Sequence, residues 1–343
     1  MSSGLSTLRV AVQMDPLHSI NVAGDSTFAL MLSAQALGHQ LWYYDVGTLA
    51  WESQPDGPGR VTAHGAPVTV RRPQSAGEAH YTLGEFARID LADDIDVVLM
   101  RQDPPFDLGY ITGAHLLEKL KGRTLVVNDP ANVRDCPEKV FVLDFAQFMP
   151  PTLVARRIED VRAFQQRMVA QGYPGDLVMK PLHGNGGKAV FRIPANGSNL
   201  GALVEVFAAM WKEPYMVQPF LPDVAKGDKR IVLIDGEVAG AINRRPGEGE
   251  FRSNLAVGGS AEATELTDRE VEICEALAPE LRRRGLLFVG IDVIGGHWLT
   301  EINVTSPTGI VAIDRFNGTD TGAQIWAAIG RRHDDMVAQA VPA

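Results

Sequence analysis

The chain has only two cysteines among 343 residues, Cys136 and Cys274, far apart in sequence. So few exclude a disulfide framework and a thiolate zinc site, and both are expected as reduced thiols in or near helices. Long hydrophobic runs are missing too: no apolar stretch reaches the roughly 18 residues a membrane-crossing helix needs. The segment Met1–Leu8 lacks the basic start and apolar block of a secretory leader, which sets the expectation of a cytoplasmic protein. Positive charge is in deficit. With 32 Lys+Arg against 42 Asp+Glu the net charge is −10, which argues against nucleic acid or an anionic membrane as the main partner. It does not argue against an anionic nucleotide, since a few local cations can line a pocket. Lysine is scarce beside arginine, so each lysine in a glycine-rich or turn context is worth weighing singly. Internal repeats and low-complexity tracts are absent.

What is present is a folded composition, 45% apolar and 22% charged, on a chain long enough for two or three packed domains. Leu8–Met14 reads as a buried strand, and Asp25 or Ser26 caps a helix that Gly38 stops. Strands at Gln40–Tyr44, Asp96–Arg101 and Thr124–Asn128, with a helix near Tyr110–Lys121, predict a mostly parallel sheet covered on both faces. Gln54–Pro73, rich in glycine and proline, reads as a surface hairpin or loop. From Thr152 to Trp211 short strands and two helices suggest a small α+β lobe. Beyond Tyr215 come a hairpin turning at Asp235-Gly236, a polar stretch Asn243–Leu266, a helix Thr267–Arg284 and a second hairpin Phe288–Asn303.

That last hairpin, GIDVIGGHWLTEINVT, carries the sharpest chemical signal. A two-residue turn at Gly295-Gly296 would set Ile294 against His297 and Asp292 against Leu299. The period of two then brings Leu299, Glu301 and Asn303 to the face of Asp292. Two carboxylates and an amide oxygen are hard ligands that suit Mg²⁺, with phosphate oxygens completing the octahedron. The plain alternative is a hairpin with solvated acids on its open face. A second signal is MKPLHGNGGKAV, where a strand and Lys180 run into Gly184, Gly186 and Gly187 before a second strand. Such a loop frees backbone N–H groups to curl around phosphates, but it is neither a Walker loop nor a dinucleotide fingerprint, because no helix follows it. A plain glycine-rich hairpin tip would look the same. Lys139, Lys180, Lys229 and Arg230 could neutralise a triphosphate from several directions, and Arg244 and Arg252 flank the loop Arg245–Gly259; taken singly, each reads as a solvated charge.

In combination these segments follow the ATP-grasp order, and the finer motifs resemble the bacterial-type glutathione synthetase family. The matching stretches are MDPLHSINVAGDSTFAL (Met14–Leu30), LMRQDPPFD (Leu99–Asp107), VNDPANVRDCPEKVF (Val127–Phe141), VMKPLHGNGG (Val178–Gly187), VQPFLPDVAKGDKRI (Val217–Ile231), RSNLAVGGSAE (Arg252–Glu262), FVGIDVIG (Phe288–Gly295) and LTEINVTSPTGI (Leu299–Ile310). The resemblance implies α/β and α+β architecture: a parallel α/β substrate-binding domain, 1–129, followed by a two-lobed ATP-grasp fold. The central lobe, 130–214, would carry the glycine-rich lid, and the C-terminal lobe, 215–335, the metal site and a mobile loop. It further implies that Lys139 and Lys180 contact the phosphates of ATP, that Gly184, Asn185, Gly186 and Gly187 form the small lid, and that Val217, Gln218, Phe220 and Leu221 line the adenine pocket. Asp292, Glu301 and Asn303 would hold two Mg²⁺ ions, with Mn²⁺ possible. Arg230 with the backbone of Gly258 and Gly259 would stabilise the reaction centre, and Arg101, Arg244, Arg252 and Asn254 would bind substrate. His183, Asn185 and Lys188 depart from the commonest lid sequence, and the hairpin at Gly295-Gly296-His297 is one residue longer than usual.

The implied reaction joins glycine to the cysteinyl carboxylate of γ-glutamylcysteine through an acyl phosphate, in a homo-oligomer. The loop Arg245–Gly259 would close over the labile intermediate. Two other readings stay open: a ligase for D-alanine or a peptide carboxylate, and a non-catalytic ATP-binding module. The first should lack LMRQDPPFD and the Arg252 loop; the second should have lost a metal ligand or the lid glycines.

Overall fold

The computed structural model describes residues 7–55, 57–75, 77–184, 186–253 and 258–340. Strands β1 (Arg9–Gln13), β2 (Gln40–Tyr44), β3 (Ala50–Gln54), β4 (Gly57–Val70), β5 (Tyr81–Leu83), β6 (Ala87–Asp90), β7 (Val97–Met100) and β8 (Leu125–Val127) form one eight-stranded sheet. Within it β2, β1, β7 and β8 run parallel, in that order. Val10, Ala11 and Val12 of β1 are all fully buried, as a parallel strand covered on both faces requires. Helix α1 (Ser26–Ala36) starts where the Asp25 carboxylate accepts the Phe28 N–H at 2.6 Å and stops before Gly38, whose φ is 84°. Helix α2 (Leu108–Glu118) connects β7 to β8.

The sheet is less parallel than the sequence suggested, because β4 joins the β2 edge antiparallel and carries β3, β5 and β6. The segment Gln54–Pro73, expected as a surface hairpin or loop, is mostly this 14-residue strand. Val61, Ala63, Ala66, Val68 and Val70 are buried along it. Gly65 is there for close approach rather than for a turn: a Cβ would lie 2.8 Å from the Tyr43 carbonyl oxygen.

Short helices α3 (Pro130–Asp135) and α4 (Glu138–Phe141) lead to a four-stranded antiparallel sheet, ordered β11-β10-β12-β9, built from β9 (Leu153–Ala155), β10 (Leu177–Pro181), β11 (Phe191–Ile193) and β12 (Tyr215–Pro219). Helices α5 (Ile158–Ala170) and α6 (Leu200–Met210) cover it through Val161, Phe164, Met168, Leu203 and Phe207, which pack with Met179 and Val217. A five-stranded antiparallel sheet follows, ordered β15-β14-β13-β16-β17, from β13 (Asp228–Ile234), β14 (Glu237–Arg245), β15 (Ser260–Glu262), β16 (Phe288–Ile294) and β17 (Trp298–Asn303). Asp235 (φ 51°) and Gly236 (φ 79°) turn β13 into β14, as predicted. Helix α7 (Asp268–Arg283) opens with a capping box between Thr267 and Glu270.

The β16–β17 hairpin departs from the predicted register. Its turn takes three residues, Gly295, Gly296 and His297, so Ile294 pairs with Trp298 and Val293 with Leu299. A bulge at Thr300 then restores the alternation and sets Asp292 directly against Glu301. Leu299 therefore belongs to the core, fully buried, and does not share the face of Asp292.

Two connections bind the sheets together. The Asn128 amide donates to the Phe288 and Val304 carbonyls at 2.7 and 2.8 Å and accepts the Phe288 N–H at 2.8 Å. Helix α8 (Ile310–Asn317) leads into α9 (Thr321–Ala340), which returns across α1; there Trp326 is fully buried and its Nε1 donates to the Leu30 carbonyl at 2.9 Å. Both cysteines are free and buried, and burial pushes the Cys136 and Cys274 thiols up to about 11 and about 12. Among the described residues no helix is long and apolar enough to cross a membrane. Truncating Trp326 to Ala should cost about 3–5 kcal/mol in a urea titration, whereas Trp326→Phe, which mainly removes the hydrogen bond, should cost about 1–2. Equal losses for the two variants would show that the ring's packing contributes little.

Candidate active site

The centre of the site follows from strand order. Because β13 lies between β14 and β16, Asp228 pairs across to Arg244 and Arg230 across to Asp292. Asp228 and Arg230 are two residues apart and share a face. Four charged side chains therefore meet inside the sheet layer, each of them buried. Arg230 donates through Nε and Nη2 to the two Asp292 oxygens at 2.6 and 3.0 Å, a bidentate pair. Arg244 Nη2 reaches Asp228 Oδ2 at 2.5 Å and Asp292 Oδ1 at 3.1 Å. Burial alone would push the Asp292 carboxyl up, but the two guanidiniums outweigh it and hold the group well below the usual carboxylate range. At Asp228 burial wins and the carboxyl is pushed up, despite Arg244. Asp228 Oδ1 has no hydrogen-bond partner among the described residues.

A cleft opens on either side of this cluster. One, of about 720 Å³, lies between the four-stranded and five-stranded sheets. Val178, Val190, Phe220, Leu221, Val224 and Ile294 give it apolar walls; Lys180, Asp228, Asp292, Thr300 and Glu301 give it a charged end. Gln218 and Gly187 also line it, and Phe251, Arg252 and Ser253 border it from the loop after β14. An apolar slot ending in cations and carboxylates suits a nucleotide, base at one end and phosphates at the other. Lys180 sits on β10, buried, with no ion pair among the described residues, and burial pulls its pKa down. Val217 is fully buried in the core of the β12 sheet and does not line the cleft; its neighbours Gln218, Phe220 and Leu221 do.

The other cleft, of about 850 Å³, is polar. Arg230, Arg244, Glu301 and Asn303 form its floor, with Asp103, Glu138, Gly186 and the segment Thr305–Gly309 around them. Glu301 borders both clefts. Lys139 joins this meeting point from α4: its Nζ lies 3.2 Å from Glu301 Oε1 and donates to the Gly184 carbonyl. Gly186 (φ 60°) and Gly187 (φ 74°) both adopt the left-handed region, the backbone freedom the glycine-rich loop was expected to need. The Gly187 carbonyl accepts from Arg252 Nη1 at 3.1 Å, and Ser253 Oγ donates to Asp228 Oδ2 at 2.9 Å, so the loop after β14 leans on both the glycine loop and the ion cluster.

Among the described residues no three His, Cys, Asp or Glu side chains are close enough to hold a metal alone. Asp292, Glu301 and Asn303 nevertheless fit a hard cation. All three can present oxygen to a cation: the Asn303 amide turns its NH2 toward the Gly290 carbonyl at 3.1 Å and Asp292 Oδ2 at 3.5 Å, and its Oδ1 accepts no hydrogen bond among the described residues. Such a partial set suits an ion whose shell is completed by phosphate oxygens.

Family models match the chain almost end to end. Residues 8–134 match the prokaryotic glutathione synthetase N-terminal domain, and residues 138–318 the prokaryotic glutathione synthetase ATP-grasp domain. The chain belongs to the prokaryotic glutathione synthetase family. It is 54% identical over 323 residues to the glutathione synthetase of Rhodopseudomonas palustris, covering 94% of this chain and 98% of that one. It is 51% identical over 329 residues to that of Bradyrhizobium diazoefficiens, covering 95% and 98%. Among solved structures the fold resembles the D-cycloserine synthetase DcsG, with a TM-score of 0.66 over 94% of this chain and 99% of that one, at 16% identity. This last likeness concerns the fold alone.

Within this family frame, several expected residues lie away from the cleft walls. Arg101 was expected to take a substrate carboxylate. It is buried instead beneath the Ser306–Gly309 turn: Nε donates to Thr27 Oγ1 and Nη2 to the Pro307 carbonyl, both at 3.0 Å, and the guanidinium lies 5.2 Å from the centre of the Phe288 ring. Nη1 has no partner among the described residues. Gly258 (φ 92°) and Gly259 close the loop after β14 at the start of β15 and line neither cleft. Asn185 and Asn254 lie outside the described residues. The sequence reading missed Asp228, Glu138, Thr300 and Thr305. Asp228 had a readable signal, an acid two residues before Arg230 on an apolar strand; Glu138 stands beside Lys139.

Lys180→Met tests the cleft assignment through opposing signs. Removing an unpaired buried ammonium should leave folding stability unchanged or slightly higher, since methionine fills the same volume. Nucleotide affinity should fall about tenfold or more, read by calorimetry with ADP. Unchanged affinity would move the phosphates away from Lys180.

Proposed function

We infer that this chain ligates glycine to the cysteinyl carboxylate of γ-glutamylcysteine at the expense of ATP, giving glutathione, ADP and phosphate. Family membership over nearly the whole chain carries that conclusion. The paired clefts supply its physical basis. A carboxylate is a poor electrophile because oxide is a prohibitive leaving group; a phosphorylated carboxylate expels phosphate instead. A nucleotide in the apolar cleft and an acid in the polar cleft would bring the γ-phosphoryl group and the carboxylate together at Glu301 and Asp292.

The roles of the residues are our reading of this geometry. Lys139 and Lys180 hold phosphate oxygens. Asp292, Glu301 and Asn303 would hold the divalent metal, which would supply positive charge for phosphoryl transfer. We propose two Mg²⁺ ions, with Mn²⁺ an acceptable substitute. Arg230 and Arg244 face the polar cleft and stabilise negative charge on the reacting acid and on the tetrahedral oxyanion. Arg252, anchored on Gly187, holds the loop after β14 against the glycine loop and limits access of water to the acyl phosphate. Arg101 acts from beneath, holding the Pro307 carbonyl and with it one wall of the acid cleft. Gly258, Gly259 and Asn254 remain proposed contacts through the loop they belong to.

We further propose functional units at 1–129, 130–214 and 215–335, a homo-oligomer and a cytoplasmic location. The first sheet lies within 1–129 and the five-stranded sheet within 215–335, which supports those two units; the four-stranded sheet takes three strands from 130–214 and its fourth, β12 (Tyr215–Pro219), from just past that boundary. Two buried free thiols support a reducing compartment. An ADP-release assay over a small panel of acids and amines tests the activity: γ-glutamylcysteine with glycine should be preferred, and preference for D-alanine or a peptide carboxylate would overturn the substrate assignment. Glu301→Gln should abolish turnover while ADP binding survives, because one charge fewer uncouples metal from phosphate. Normal turnover with normal metal dependence would remove Glu301 from the centre.

A further inference from the structure

One carboxylate in the polar cleft has no assigned task. Glu138 opens α4 and lines that cleft beside Glu301, and it also borders a smaller recess with Phe106, His183 and Gly184. Its Oε1 accepts a hydrogen bond from Thr305 Oγ1 at 2.9 Å. It has no cation partner among the described residues, although two cations are near. Lys139 is committed to Glu301 and the Gly184 carbonyl, and Arg230 to Asp292 and the Thr308 carbonyl. Burial pushes the Glu138 carboxyl up to about 7, against the pull of Lys139, so a further cation beside it is what would hold it ionised.

The reaction supplies such cations. Both substrates carry an ammonium group: the α-amine of the γ-glutamyl residue and the amine of glycine. The polar cleft offers two carboxylates besides Glu301, and they are not equivalent. Asp103 stands at the Ser306 side, where its Oδ1 accepts from Ser306 Oγ at 2.9 Å and its backbone N–H is held by Asp15. Glu138 stands on the side of Lys139 and Glu301, where phosphate transfer is assigned. The amine that must reach the activated carbonyl is therefore better served by Glu138.

Resting on the ligase reading above, we propose that Glu138 is the ammonium-binding residue for the incoming amine, holding the glycine nitrogen beside the acyl phosphate while Thr305 fixes the carboxylate's orientation. The nitrogen gives up a proton to become the attacking amine, the new C–N bond replaces the C–O bond to phosphate, and the departing phosphate carries away the protons released. The ammonium and carboxylate form a charge-assisted hydrogen bond in a partly buried cleft, stronger there than on an open surface.

The test uses two nucleophiles of different charge. Glycine enters as an ammonium, whereas hydroxylamine is uncharged at neutral pH and needs no carboxylate to receive it. In Glu138→Gln the kcat/KM for glycine should fall about ten- to a hundredfold, chiefly through KM. Hydroxylamine capture of the acyl phosphate, and the KM values for ATP and γ-glutamylcysteine, should stay within about twofold of wild type. Glu138→Asp keeps the charge one methylene further back and should fall between the two; it reports the same split if Glu138→Gln does not fold. A parallel loss with both nucleophiles would reduce Glu138 to a structural role and overturn the proposal. So would an unchanged KM for glycine, or a rise confined to γ-glutamylcysteine, which would give Glu138 the other ammonium. Glutathione formation by the unmodified enzyme is read separately, and its failure would reject the ligase reading itself.

Discussion

Everything at the centre depends on how one buried charge, Asp292, is balanced. A carboxylate in the middle of a β-sheet costs several kcal/mol in lost hydration unless it is paired and hydrogen-bonded. Here two guanidiniums pair with it, and the second of them also serves Asp228. The cluster sums to zero, with two cations and two carboxylates. Removing any one member would strand the others, which is why strand order matters more than the identity of any single residue. Only with β13 between β14 and β16 do Asp228, Arg230, Arg244 and Asp292 fall opposite one another.

The same balance makes the site responsive to ligands. Were a divalent cation held at Asp292, as proposed, it would share the carboxylate oxygens with Arg230 and Arg244, and whatever interaction these gave up would be available to anions in the polar cleft. Phosphate and carboxylate substrates supply those anions. In the proposed function, metal, nucleotide and acid would thus fit the cluster together more readily than any one of them alone, because each would balance charge that the others leave exposed. Lys180 makes the same point more simply. It is a buried ammonium without an ion pair among the described residues, a cost to the free protein that a phosphate would offset.

Much of this was legible in the sequence, though unevenly. The glycine loop, the hairpin acids and Lys139 were visible because each combines an unusual residue with an unusual local context. The register of the hairpin was not. Whether Gly295-Gly296 or Gly295-Gly296-His297 forms the turn is a local choice, and the bulge at Thr300 that restores the alternation has no sequence signal of its own. The strand β4 was hidden for a different reason: its glycines and two prolines read as turn residues, whereas Gly65 is required by the nearby Tyr43 carbonyl, a tertiary constraint. Arg101 shows a third kind of limit. An arginine at the end of a parallel strand does lie toward the ligand-binding edge, but which way it turns is decided by Pro307, some two hundred residues away.

Asn128, Arg101 and Trp326 all form long-range bonds between the first sheet, or its helix, and the last third of the chain. Their shared consequence is that the polar cleft is walled by segments far apart in sequence, Asp103 from the loop after β7 and Thr305–Gly309 from beyond β17. The apolar cleft is built differently, between the central sheet and the C-terminal sheet, with Arg252 of the loop after β14 reaching across to Gly187. Each cleft can therefore change by its own route. Substitutions in the first sheet would reshape the acid pocket without disturbing the phosphates, and changes in the central sheet would do the reverse. Among the described residues Glu301, backed by Lys139, lines both clefts, and the ion cluster stands between them with Asp228 and Asp292 toward one and Arg230 and Arg244 toward the other, so it is there that binding on one side can be felt on the other.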